Sequence, residues 1–156
     1  MTQDELNRVL AGCNDNHDLR DLSDEDLSDL TFNGAFLMGL NLKDADLANA
    51  DLSHCTLSCC NLTGANLRRA NLSHSELGGS IFINAYLSHA DLSHASGDAD
   101  FTSATFENAN LSHARLSSSN FKGTDLRSCN QTDAHLEPGD TLGLKKKYRE
   151  SINFKR

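Results

Sequence analysis

Residues 41–72 read NLKDADLANADLSHCTLSCCNLTGANLRRANL, with leucine at 42, 47, 52, 57, 62, 67 and 72. The rhythm extends back through Leu37, Phe32 and Leu27 to Leu22, and forward through Leu77, Phe82 and Leu87 to Leu92. It resumes as Phe101, Phe106, Leu111, Leu116, Phe121, Leu126 and Leu136. Two residues before most of these anchors stands a small side chain, as at Ala45, Ala50, Cys55, Cys60, Ala65 and Ala70. A period of five fits neither a helix face at 3.6 residues nor a strand at 2. It fits a chain that turns a corner every five residues, with the anchor and the small residue inward and the other three outward. No such unit buries its own anchor, so coils must stack to share a core.

The units ADLAN (Ala45 to Asn49), ANLRR (Ala65 to Arg69) and ADLSH (Ala90 to His94) resemble the pentapeptide-repeat family, whose pattern is A-(D/N)-L-x-x. The resemblance covers roughly residues 20 to 138 and implies an all-β solenoid, a right-handed quadrilateral β-helix with four repeats per coil. About six coils at ~4.8 Å spacing make a rod on the order of 29 Å long.

Four repeats per coil place residues twenty apart above one another. Leu22, Leu42, Leu62 and Phe82 then share one face. If the stretch at Ser96, Gly97 and Asp98 makes one corner a residue short, Phe101 and Phe121 continue the column as an aromatic ladder. Gly97 in an anchor slot marks a local defect, and Gln131 in another marks a second weak point.

The chain has 156 residues, one domain's worth, with 38% hydrophobic residues and a formal net charge of −8. Three segments are expected: an N-terminal helical cap over 1–19, the repeats over 20–138, and a basic C-terminal segment over 139–156. A helix over 3–11 is favoured by Thr2 as cap, by Asp4 and Glu5 in the first turn, and by the apolar face of Leu6, Val9 and Leu10, with Gly12 as stop. It is placed to cover the open end of the core. After Pro138 and Gly139, Leu144, Tyr148 and Ile152 fall at i, i+4, i+8 and suit a second amphipathic helix, either a cap or a homodimer contact. No apolar run spans a membrane, and the opening residues lack the features of a signal peptide, so a cytoplasmic protein is expected.

Five cysteines do not form a disulfide framework: Cys55, Cys60 and Cys129 take the small inward position, Cys59 points outward, and Cys13 precedes the repeats. No cofactor is implied. His54, His74, His94 and His113, at spacings of 20, 20 and 19, should line one outer column, with His89 on a neighbouring face. Duplication of a twenty-residue unit accounts for the column. A divalent metal site or a pH-responsive surface are the functional alternatives.

Residues 1–66 carry twelve acids and three bases, a net of −9, concentrated at Asp21, Asp24, Glu25, Asp26 and Asp29. Such a pole repels phosphate and argues against direct nucleic-acid binding. Ile81 and Ile83 flank Phe82 and should both point out, with Tyr86 round the corner, an apolar cluster on a polar surface. Phe36 and Met38 stand similarly about Leu37, where the N-terminal helix is expected to cover them.

No catalytic constellation is present: there is no G-x-S-x-G, no phosphate-cradling glycine loop, and no oriented Cys–His pair. The expected function is a non-enzymatic scaffold for an unidentified protein partner, through Ile81, Ile83 and Tyr86. The resemblance implies an alternative. One group in the family protects or inhibits DNA gyrase by imitating duplex DNA and dimerises through a C-terminal helix. Asp24, Asp26 and Asp29 would be the acidic surface here, and Leu144, Tyr148 and Ile152 the dimer contact. The chain departs from that group in three ways. Even doubled, the rod is only on the order of 60 Å long. Arg68, Arg69, Arg115, Lys122 and Arg127 interrupt the acidic columns, and no long loop is inserted.

Overall fold

The computed structural model describes residues 1–12 and 21–137. Parallel bridges join Asp21 to Asn41, Asp26 to Asp46, Thr31 to Asp51 and Phe36 to Thr56, and the same four columns continue coil by coil. The bridging residue is always the one before an anchor. A bridge every five residues with a partner twenty residues on defines a parallel β-solenoid with four narrow sheet strips. Among the described residues only two pieces, β1 (Arg115–Leu116) and β2 (His135–Leu136), are long enough to count as strands, and they pair in parallel.

The corners explain the rest of the repeat. After each anchor the chain turns, and the N–H three residues on returns to the anchor carbonyl: Ala50 to Leu47 at 3.1 Å, Ala85 to Phe82 at 3.0 Å. At most corners the second residue after the anchor has positive φ, for example +60° at Asn49, +59° at His74 and +70° at Gly64, whereas Ser118 and Ser128 do not. Positive φ at that residue alone is the pattern of a type II turn. Asp, Asn, His and Gly tolerate it best, and they fill most of these slots.

The Asp or Asn before each anchor has a second duty. Its side-chain oxygen accepts the N–H two residues on, as Asp46 does from Ala48 at 2.9 Å and Asn71 from Ser73 at 3.1 Å. This is an Asx turn that pre-forms the corner. Asparagine also donates its amide to the coil before: Asn66 to Asp46 at 2.9 Å, Asn71 to Asp51 at 3.2 Å, Asn130 to Asn110 at 3.0 Å. Aspartate has no such donor, so each of these aspartates relies on the asparagine above it.

Inside, the anchors and small residues form one buried column. Phe82, Phe101 and Phe121 stack with centroids 4.9 and 5.1 Å apart. The register shifts where the glycine defect lies: Glu76 bridges Ser96, twenty residues on, but Ile81 bridges Asp100, nineteen on. Gly97 has φ +132° and its N–H reaches the Arg115 carbonyl at 3.1 Å. The Ser119 hydroxyl repairs the missing contacts, accepting from Ala99 N–H at 3.0 Å and donating to the Gly97 carbonyl at 3.2 Å. Gln131 is buried with its amide donating to the Leu126 carbonyl at 2.7 Å. Among the described residues no buried side-chain polar atom lacks a partner, as a narrow core of this kind requires.

Helix α1 (Gln3–Gly12) closes the first coil. Thr2 and Glu5 form a capping box, with Glu5 N–H donating to the Thr2 hydroxyl and Thr2 N–H to the Glu5 carboxylate. Leu6 is fully buried. The Gln3 amide mimics a missing coil: Nε2 donates to the Thr31 carbonyl at 2.9 Å and Oε1 accepts the Thr31 N–H at 2.8 Å. The expected cover of Phe36 and Met38 is not found. They are 67% and 41% exposed, because α1 packs on the coil end while Phe36 sits in a side strip. Pro138, Gly139, Leu144, Tyr148 and Ile152 lie outside the described residues. Among those described, no helix is long and apolar enough to cross a membrane.

A Cβ added at Gly97 would lie 2.6 Å from Gly78 N and 2.8 Å from the Leu77 carbonyl carbon, whereas one at Gly34 meets nothing within 4 Å. Gly97→Ala is therefore expected to cost about 2–4 kcal/mol in urea unfolding, from backbone overlap plus its φ. Gly34→Ala should cost only about 1 kcal/mol, for its left-handed φ. Equal costs would contradict the close approach of coils at Gly97.

Candidate functional site

Because the fold spends its anchors inward, any function lies on the outward columns. The apolar candidates sit on one coil. Ile81 belongs to the strip between Asn61 and Asp100, and Tyr86 to the strip between Asn66 and Thr105. Ile83 lies at the corner between these strips. Ile81 and Tyr86 are 39% and 41% exposed, and Ile83 is half-buried. Both Ile81 and Tyr86 occupy the slot that holds Asp or Asn in most other repeats. Neither side chain can make the Asx turn or continue the amide ladder, so this coil forgoes hydrogen bonds its neighbours have.

Tyr86 is not isolated. The Arg68 guanidinium lies over its ring, 4.4 Å from the centroid, and Arg68 Nη1 donates to Asn66 Oδ1 at 3.0 Å. The pair forms one wall of an open groove of about 710 Å³ that crosses the strip at Thr105. Asp125 and Arg127 form the opposite wall, joined by Arg127 Nε to Asp125 Oδ1 at 2.9 Å and to Oδ2 at 3.0 Å. A second hollow, about 440 Å³, adjoins it at Arg68, Ser88 and Glu107 and adds Arg69 and His89.

Asp24, Asp26 and Asp29 lie side by side across a corner, a strip and the next corner, all exposed. Each also serves the fold. Asp24 and Asp29 hold the positive-φ slot, at +58° and +60°. Asp26 Oδ1 accepts from the Ser28 hydroxyl at 2.6 Å and N–H at 3.1 Å. Those bonds, the hydroxyl first, hold its carboxyl below the usual range. Asp29 Oδ1 accepts from Asn49 Nδ2 at 3.0 Å.

His54, His74, His94 and His113 form one stack, with centroids 4.8, 4.6 and 4.8 Å apart and planes within 12° of parallel. His113 Nδ1 lies 3.9 Å from Asp133 Oδ2. All four have φ near +59°, so the column is filled by a residue type the corner tolerates. Parallel rings direct their nitrogens along parallel lines rather than onto one point. Among the described residues, no group of three or more His, Cys, Asp or Glu is arranged to hold a metal ion. Cys55 and Cys60 are buried, and burial pushes their thiols up to about 11. Cys59 is exposed, while Cys13 lies outside the described residues.

What the sequence alone did not single out is the groove. Arg68 and Tyr86 are eighteen residues apart and meet only because coils stack. The twenty-residue register was the one available signal.

A model of pentapeptide repeats matches residues 21–58, 60–96 and 97–130, in eight copies. No curated protein matches the chain. Among solved structures it is similar to the pentapeptide repeat protein Rfr23 from the cyanobacterium Cyanothece 51142: 23% identity over 89% of this chain and 99% of that one, TM-score 0.47. HetL from Nostoc sp. PCC 7120, involved in heterocyst differentiation regulation, is 27% identical over 78% of this chain and 65% of its own, TM-score 0.29. QnrB1, a plasmid-mediated fluoroquinolone resistance protein, is 21% identical over 85% of this chain and 82% of its own, TM-score 0.46.

The strip aspartates give a pH signature. Hydrogen bonds led by the hydroxyls of Ser23, Ser28 and Ser53 hold Asp21, Asp26 and Asp51 below the ordinary carboxylate range. A depressed folded pKa contributes stability above the unfolded value of about 3.9, and that stability is lost as pH falls through the folded values. The urea midpoint should thus fall between about pH 4 and pH 2. In Asp21→Asn/Asp26→Asn/Asp51→Asn, whose amide oxygens still accept, the fall should be smaller. An unchanged fall would mean these carboxylates do not hold the corners.

Proposed function

The chain belongs to the pentapeptide-repeat family, and from that premise we propose that it is a rigid, non-enzymatic scaffold that binds another protein through the coil carrying Ile81, Ile83 and Tyr86. The solenoid is taken as the right-handed quadrilateral β-helix of about six coils that the repeat pattern implies. The observation that carries the reading is the break in the Asp/Asn columns. Where most strip positions spend a polar side chain on the corner, Ile81 and Tyr86 leave the backbone without that support and present apolar area to solvent. Stability is lost there and no core is gained, which is the signature of a surface kept for contact. A solenoid suits this role because repeated inter-coil hydrogen bonds hold the surface residues in place before any partner arrives, so little ordering is required on binding.

The second reading, a DNA mimic acting on gyrase, is favoured by the row of exposed carboxylates at Asp24, Asp26 and Asp29. It is weakened by the cationic groups Arg68, Arg69, Arg115, Lys122 and Arg127 on later coils. The two readings separate by where binding is lost.

Ile83→Asp should abolish capture of the partner by the purified chain at a stability cost of only about 1 kcal/mol, as for a half-buried surface site, with the coils still folded. Collapse of the fold would instead make Ile83 a core residue. In a gyrase supercoiling assay with and without a fluoroquinolone, no effect at micromolar protein is expected. Inhibition or drug rescue that disappears in Asp24→Asn/Asp26→Asn/Asp29→Asn would put the acidic coil in place of the apolar one.

A further inference from the structure

We propose that the groove beside Tyr86 is a docking site for an extended acidic segment of a partner protein. Arg68 and Arg69 hold a carboxylate of that segment, and an adjacent apolar side chain seats on Tyr86 and Ile83. The inference rests on the scaffold reading and names the chemistry of its partner.

Charge is the first argument. With 22 acids against 14 bases, most cations of this chain have carboxylates to choose from. Lys43 pairs with Asp44, and Arg127 with Asp125. Arg68 and Arg69 have no ion pair among the described residues, as is also true of Arg115 and Lys122, and what sets Arg68 apart is that it is nevertheless held in place. Arg68 uses one of its five N–H donors, on Asn66 Oδ1, and its flat face on Tyr86. It is therefore held in position with most of its fork unspent, the state in which a guanidinium recognises a carboxylate best.

Backbone strain is the second argument. Arg69 has φ +61° and Ser103 φ +58°, in a slot that Asp, Asn, His or Gly fills at most other corners. Ser103 lines the larger hollow and Arg69 the smaller, one on each side of the strip. An arginine in a left-handed corner costs conformational energy that an asparagine there would largely save. Strain of this kind, where the surface also lacks its usual polar columns, points to a retained contact.

Shape and composition complete the case. The groove floor is small, made by Ser88, Ser103, Thr105 and Gly123. Its walls, Tyr86 with Arg68 and Asp125 with Arg127, stand two coils apart, roughly 9–10 Å at the inter-strand spacing, which is the width of one extended chain. Tyrosine and arginine are the residues that anchor protein contacts most often. Glu107 lines both hollows, two coils from Arg68 in the same corner column, so a bound carboxylate is favoured at the Arg68 and Arg69 side and disfavoured beside Glu107. A polyanion such as nucleic acid does not fit, because phosphates extending past the two arginines would meet the acidic first coils, net −9 over residues 1–66.

The test is a phage-displayed library of random ten-residue peptides, selected on the full chain. Expected are peptides carrying Asp or Glu beside an aromatic or aliphatic residue. Their Kd should rise at least about tenfold in Arg68→Gln/Arg69→Gln, weaken with added salt, and stay unchanged in Asp24→Asn/Asp26→Asn/Asp29→Asn. Apolar peptides without acids, lost in Ile83→Asp but unaffected by Arg68→Gln/Arg69→Gln, would overturn the acidic-segment inference and leave the scaffold reading standing. Selection no better on the native chain than on Arg68→Gln/Arg69→Gln/Ile83→Asp would overturn both.

Discussion

The type II corner is the constraint on which the solenoid depends. Most corners place one residue at φ near +60° and return one N–H to the anchor carbonyl, and so bring the chain round to bridge itself about twenty residues later. That requirement explains more of the surface than any binding function does. It selects Asp, Asn, His and Gly two residues after the anchor, and it recruits Asp or Asn before the anchor to pre-form the turn. Much of the acidity of the first coils, and the whole stacked histidine column, occupy slots with a structural reason to hold those residue types. Neither acidity nor stacking is then enough to argue function.

Function is better sought where the corner rules are broken at a cost. Ile81 and Tyr86 surrender the Asx turn, and Arg69 and Ser103 occupy left-handed slots they suit poorly; Tyr86 and Ser103 line the groove, Arg69 lines the hollow beside it, and Ile81 stands on the neighbouring strip. Each departure alone is minor. Together they mark a patch where stability has been given up on a fold that otherwise satisfies its polar groups. The glycine defect at Gly97 is of a different kind. It is absorbed within the fold by the close approach to Gly78 and by the Ser119 hydroxyl, and it disturbs the register without exposing apolar surface.

The five-residue spacing made the inward column legible, from Leu22 to Leu136, and the phenylalanine ladder followed once one coil was allowed nineteen residues. The Thr2 cap and the Leu6 face were legible for the usual reasons of helix chemistry. Other features escaped because they depend on φ or on contacts between coils. The positive-φ slot looked like a free outward position, since a list of Asp, Asn, His and Gly reads simply as polar. The Gln3 amide pairing with Thr31 needs two segments twenty-eight residues apart. The exposure of Phe36 was not legible, because the direction in which α1 lies over the coil end is not written in its amphipathic spacing. The Arg68–Tyr86 wall was available only through the register, and pairing every outward residue with its neighbour a coil away would have found it.

Hydroxyl-radical footprinting of the full chain, alone and bound to its captured protein partner, addresses the central claim most directly. Protection should centre on Ile83, Tyr86 and the groove residues nearest them, while His54 and His74, two corners away, keep their free reactivity. Protection of Phe36 and the first-coil aspartates instead, with Tyr86 still fully reactive, would contradict it and move the binding surface to the acidic end of the solenoid.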